Sequence, residues 1–320
     1  MKVHHLNCGS MCPFAGRWMD GHDGVLRRAH LVCHCLLVET NHGLVLVDTG
    51  IGTRDVYAPV PRLSRALTAL LQPALRYEDT AFAQVAALGF SPRDVRDIVL
   101  THLDFDHAGG IEDFPEARVH VMADELEAAR LRHGWIGRRR YRPRQWDQAT
   151  QWRTYRHQGA YWNGFQSVRE LDGVGDDIVM VPLRGHTRGH CGVAVREDSG
   201  WTLLAGDAYF HRGEMPQSRD ILVRCPPGLR AYQWLMEIDR EARLHNQSRL
   251  RELAWNKAAN VRVMCSHDAD ELRAAQRGLI DVQSSGMQLR EAERAMRTSA
   301  TRDAPLQLLQ GTQARRARGA

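Results

Sequence analysis

The sequence predicts an α/β or α+β protein built from two sheet-forming halves. Two observations carry this. Short apolar, β-branched runs alternate with helical patterns in both halves of the chain. Polar segments rich in His and Asp directly follow several of those runs, as happens where strand ends hold a site. The composition agrees: 320 residues, 43% hydrophobic and 25% charged, are those of a folded globular protein with ample chain to bury a core.

In chain order, Leu31 to Glu39 and Leu44 to Asp48 read as a hairpin around Thr40-Asn41-His42-Gly43, ending in Asp48-Thr49-Gly50. Helical patterns over residues 61–71 and 78–88 follow, and Ser91-Pro92 reads as the capped start of a short helix. Ile98-Val99-Leu100-Thr101 is a short buried strand, Ala117 to Met122 another, and residues 123–132 a helix. Residues 133–175 show no clean period and hold four of the eight Trp. Strands are expected over 178–182, 192–196, 201–205 and 261–265, and one long amphipathic helix over 229–244. Beyond Thr298 the chain is polar and Arg-rich, which predicts a disordered basic tail on a single domain of residues 1–297.

Net charge is +5, but it is unevenly placed. Residues 130–156 carry nine Arg against one Asp, and residues 296–320 five Arg against one Asp, so the rest of the chain is acidic. A nucleic-acid footprint over the whole body is therefore not expected. No run is long and apolar enough for a membrane span or a signal peptide, so the expected location is cytoplasmic. The seven Cys form no C-x-x-C pair, which fits reduced thiols; Cys33 and Cys35 share one face of a strand and read as small core residues.

The chemistry concentrates in Thr101-His102-Leu103-Asp104-Phe105-Asp106-His107-Ala108-Gly109-Gly110. Imidazole and carboxylate at His102, Asp104, Asp106 and His107 alternate with the apolar Leu103 and Phe105, which can anchor the loop while the polar groups point together. Such a donor set suits zinc or another borderline divalent metal. Gly185-His186-Thr187-Arg188-Gly189-His190, Gly206-Asp207 and Ser266-His267 each follow an expected strand and offer further ligands.

Together these motifs resemble the metallo-β-lactamase superfamily, and in the N-terminal region the pattern is most similar to N-acyl-homoserine-lactone lactonases. The resemblance implies an αββα sandwich with two divalent metals at one edge of its sheets. It implies His102, Asp104 and His186 on one metal, Asp106, His107 and His267 on the other, and Asp207 bridging. Asp48 and His190 would orient ligands without binding metal. Most hydrolases of the superfamily have His where this chain has Asp104; the harder carboxylate admits iron or manganese beside zinc. On sequence alone, Asp104→His should be tolerated and favour zinc.

The implied reaction is hydrolysis of a small-molecule ester or lactone by a metal-bridging hydroxide, with Asp106 handling its proton and Tyr209 as a candidate helper at the carbonyl. Nothing in the sequence reads as a G-x-S-x-G nucleophile motif. A phosphodiesterase or nuclease of the same fold, or an iron-binding redox member, are the alternatives. The Arg- and Trp-rich insert at about 130–175 offers Arg138, Arg139 and Arg140 to an acidic or amphiphilic substrate, as a lid. A homodimer interface would suit the mix nearly as well, and a base-stacking groove less well.

Overall fold

Near-continuous apolar runs, buried on both faces, form the two central layers of the fold. The computed structural model describes residues 1–149, 151–215 and 223–278, so the expected C-terminal tail lies outside the described residues. The strands are β1 (Lys2–Met11), β2 (Leu31–Thr40), β3 (Gly43–Val47), β4 (Pro73–Ala74), β5 (Val95–Val99), β6 (Arg118–Met122), β7 (Trp152–Tyr155), β8 (Ala160–Trp162), β9 (Phe165–Leu171), β10 (Gly175–Pro182), β11 (Cys191–Glu197), β12 (Gly200–Leu204) and β13 (Val261–Met264). The first sheet runs β4-β1-β2-β3-β5-β6-β7 and the second β13-β12-β11-β10-β9-β8.

The sheets pack face to face. Leu36, Val38, Val45, Val47 and Val99 of the first sheet join Ile178, Met180, Val193, Val195 and Leu204 of the second in one core. Alternate residues of the same strands, such as Leu37, Leu44 and Leu46, turn outward onto the helices Ala81–Ala87 and Ala123–Leu131. The outer face of the second sheet is covered by the helix Arg240–Trp255 through Leu250 and Leu253. Helix, sheet, sheet and helix layers make this the expected αββα sandwich.

Strand direction then brings the polar segments to one end. Parallel pairing of Val47 with Val99 releases Asp48 and the residue 100–110 loop side by side. Parallel pairing of Leu204 with Met264 does the same for Asp207 and His267. The turn between β10 and β11 joins them, because the Cys191 amide donates to the Thr101 carbonyl at 3.0 Å.

Two expectations need correction. The single helix over 229–244 is two helices, Pro227–Met236 and Arg240–Trp255. At the break, the Ile238 and Asp239 amides donate to the Gly185 carbonyl, at 2.9 and 3.0 Å, and Asp239 caps the second helix through the Ala242 amide. Gly185, at φ 138°, packs so closely on Arg243 that a Cβ would lie 2.4 Å from its backbone nitrogen. The aperiodic insert is also largely woven into the sheets. β7 extends the first sheet, β8 and β9 extend the second, and only the helix Gly134–Arg140 and the following turn reach toward the polar end.

Candidate metal centre

Seven buried His and Asp side chains converge at this end of the sandwich in two groups. Ligand atoms of His102, Asp104, His186 and Asp207 lie within 4.8 Å of one another, as do those of Asp106, His107 and His267. Asp207 faces both groups. Its Oδ2 is 3.6 Å from His102 Nε2 and 3.3 Å from His186 Nε2, while its Oδ1 is 3.3 Å from His107 Nε2 and 3.1 Å from His267 Nε2. Four ligands about 2.1 Å from one tetrahedral zinc would stand roughly 3.4 Å apart, so the spacing fits a metal in each group.

The hydrogen bonds support the same reading. His102 Nε2, His107 Nε2 and Asp207 Oδ1 are buried without a hydrogen-bond partner. A buried polar atom aimed into a shared centre without a partner is unfavourable unless something occupies that centre. The far nitrogens of three rings are held: His107 Nδ1 by Asp48 at 2.8 Å, His267 Nδ1 by the Val32 carbonyl at 2.8 Å, and His102 Nδ1 by Thr101 Oγ1 at 2.9 Å. That is the arrangement by which an outer partner fixes the tautomer of a ligating imidazole.

Asp48 and His190 lie where orienting groups would. Asp48, in the left-handed region at φ 55°, also accepts from the Thr101 amide and hydroxyl, at 2.8 and 2.7 Å. His190 Nε2 accepts the Asp207 amide at 2.9 Å while its Nδ1 donates to the Leu183 carbonyl. Its ring is thus committed on both sides.

Electrostatics follow from burial and proximity. Burial would lower the pKa of His107, but the carboxylates of Asp207, Asp48 and Asp106 hold it well above the ordinary histidine range. His267 is also raised, against its burial, by Asp207 and Asp106. Burial and the adjacent His107 push His102 well down. Burial opposes ionisation of Asp104, yet Arg140, ahead of His102 and His186, keeps its carboxyl well below the usual range.

Two expected site residues sit elsewhere. Tyr209 is fully buried in the core beneath the second sheet, where its hydroxyl donates to Glu271 at 3.1 Å, so it is a core residue without access to substrate. Arg140 is not a solvent-facing substrate contact. It is buried, with Nε 3.1 Å from Asp104 Oδ1 and NH1 donating to the His186 carbonyl at 2.8 Å. Arg138 and Arg139 are exposed, and Arg139 stacks on Trp135 at 4.0 Å.

Sequence reading missed Glu125, a fully buried carboxylate on the helix Ala123–Leu131. It accepts the Leu103 amide at 3.1 Å, the Thr187 hydroxyl at 2.6 Å and the Gly189 amide at 3.0 Å, tying the two ligand loops together. No spacing signal marks it, because its partners lie far away in sequence. The ligand rings are walled by apolar side chains: Phe210 packs edge-on against His186 and His267 at 5.6 and 5.2 Å, and Tyr232 lies 6.1 Å from Phe210.

Residues 29–249 match the family model of the metallo-beta-lactamase superfamily. The chain is 42% identical over 270 residues to the probable metallo-hydrolase Rv2300c of Mycobacterium tuberculosis, covering 84% of this chain and 81% of that protein. An N-acyl homoserine lactonase of Bacillus thuringiensis is 31% identical over 128 residues, 38% of this chain and 51% of its own length. Among solved structures, a single-residue mutant of B. thuringiensis AiiA with N-decanoyl-L-homoserine bound at its active site aligns with a TM-score of 0.62 at 22% identity, over 85% of this chain and 95% of that one. Family match, close relative and fold agree: this chain belongs to the metallo-β-lactamase superfamily and is a metal-dependent hydrolase.

Proposed function

We propose that this chain hydrolyses a small-molecule ester or lactone at a site for two divalent metals. One observation carries the reading: a single carboxylate, Asp207, presents one oxygen to each of the two His/Asp groups, at 3.1–3.6 Å from their imidazole nitrogens. Two cations in such a site activate water near neutral pH and polarise a carbonyl oxygen.

The chain's own residues account for the rest. Asp106, buried beside His107 and His267, is the carboxylate placed to receive and pass on a proton at the centre. In the metal-free centre burial raises its pKa from the ordinary carboxylate value. Asp48 holds His107, and His190 holds Asp207, so ligand geometry is set before substrate arrives. Phe210 packs on the ligand rings from a buried apolar cluster that includes Leu229 and Tyr232, which keeps that side of the centre dry. The N-acyl homoserine lactonases among the relatives support a lactone in particular.

The test is a panel of acyl lactones and neutral esters of increasing chain length, assayed beside a bis-aryl phosphate. Turnover of lactones or esters, with KM falling as the chain lengthens, is expected. Faster turnover of the phosphodiester would replace this reading with the nuclease-like one. Iron with redox activity and no hydrolysis would replace both.

A further inference from the structure

Asp104 departs from the histidine pattern of the superfamily, and Arg140 is packed against it. An anion stands where the commoner ligand is neutral, and a buried cation stands against that anion. The two carboxylate oxygens are divided between them. Oδ1 is 3.1 Å from Arg140 Nε, while Oδ2 is 3.0 Å from His186 Nε2 and 3.5 Å from His102 Nε2. The guanidinium donates to the carbonyls of His186 and Met236, and its NH2 also lies 3.3 Å from His186 Nε2. The backbone enforces the adjacency, because Asp104 and Tyr141 form an isolated antiparallel bridge that brings residue 140 onto the ligand loop. Both side chains are buried, with 2% of Arg140 and 7% of Asp104 exposed.

We propose that Asp104 and Arg140 act as one unit: Arg140 is a positioning residue that neutralises Asp104 and turns its Oδ2 toward the first metal position. The sum of the two charges equals that of a neutral histidine, so the site keeps the same net charge while offering a hard oxygen ligand. It follows that Asp104→His alone does not restore a histidine-type site. It leaves the Arg140 cation buried and unpaired beside an incoming dication, which opposes metal entry. The expectation from sequence alone, that this substitution is tolerated, is thereby reversed. The proposal rests on the two-metal reading above.

The test is a double-variant cycle read as metal affinity. Chelator-stripped wild type, Asp104→His, Arg140→Met and the double variant are titrated with Zn²⁺ against a chromophoric competitor, with thermal melting of each metal-free protein as a check on folding. Coupling is the ratio of the Asp104→His effect on the first-metal dissociation constant with and without Arg140. Coupling of tenfold or more at the first metal is expected, with Asp104→His weakening binding only when Arg140 is present. The second metal should change by less than threefold throughout. Coupling below tenfold, or equal changes at both metals, overturns the proposal. If Asp104→His does not fold, Asp104→Asn, which keeps shape and an acceptor oxygen, replaces it under the same criterion. A wild type that binds no Zn²⁺ would instead overturn the two-metal reading itself.

Discussion

At the scale of single residues, the account gives Asp48 and His107 separable roles. His107 belongs to the second candidate ligand group only, and on the two-metal proposal His107→Ala should nearly abolish hydrolysis. Asp48→Asn keeps the shape of the side chain but loses the charge that accepts from His107 Nδ1 at 2.8 Å. A 10–100-fold loss of metal affinity or activity is expected from weakening such an outer partner. Steady-state kinetics and metal titration of both variants check this, and an unaffected Asp48→Asn would remove its orienting role. Glu271 makes a pH prediction. Burial, reinforced by Asp268, raises its pKa to about 8, above the ordinary value of 4.5. Between those values the folded state binds more protons than the unfolded chain, so this group's contribution to stability declines as pH rises through the window. Glu271→Gln retains an oxygen for the Cys265 amide, which now donates at 2.8 Å. The loss of melting temperature from pH 6 to pH 9 should therefore shrink in that variant; an unchanged loss would contradict the assignment.

At the scale of elements, Glu125 joins two ligand loops that lie far apart in the chain. Glu125→Ala strands the Leu103 and Gly189 amides and the Thr187 hydroxyl without their acceptor. Orphaned buried groups cost about 1–3 kcal/mol each, so the variant should melt several degrees lower and bind metal more weakly. Glu125→Gln, which keeps an acceptor oxygen, should lose less. Equal melting temperatures for wild type and Glu125→Ala would show that the loops hold themselves. The same contrast explains what the sequence could disclose. The seven candidate ligands were legible because each follows a short apolar strand and carries a residue type that seldom crowds without a metal. The break at residues 237–239 was not, because the helical period continues across it and the cause is the distant Gly185 carbonyl. Arg140 was hidden among the nine Arg of residues 130–156. The available clue was the anion at position 104, whose burial required a cation from somewhere. Tyr209 misled because its closeness to Asp207 in sequence ignores which way a side chain leaves the turn.

At the scale of the molecule, two sheets deliver polar segments from separate parts of the chain to one edge, and the resulting cluster holds three carboxylates and four imidazoles in a buried space. Buried ligand atoms without hydrogen-bond partners converge there, at His102 Nε2, His107 Nε2 and Asp207 Oδ1, so metal should stabilise the whole fold by preferential binding to it. Chelation should lower the melting temperature, and readdition of Zn²⁺ should restore it. The most direct test of the central claim is elemental analysis of purified, metal-replete wild type beside His107→Ala. The account predicts two divalent metals per chain in the wild type and about one in the variant. Less than half a metal per chain in the wild type, or full occupancy and full activity in His107→Ala, would contradict it.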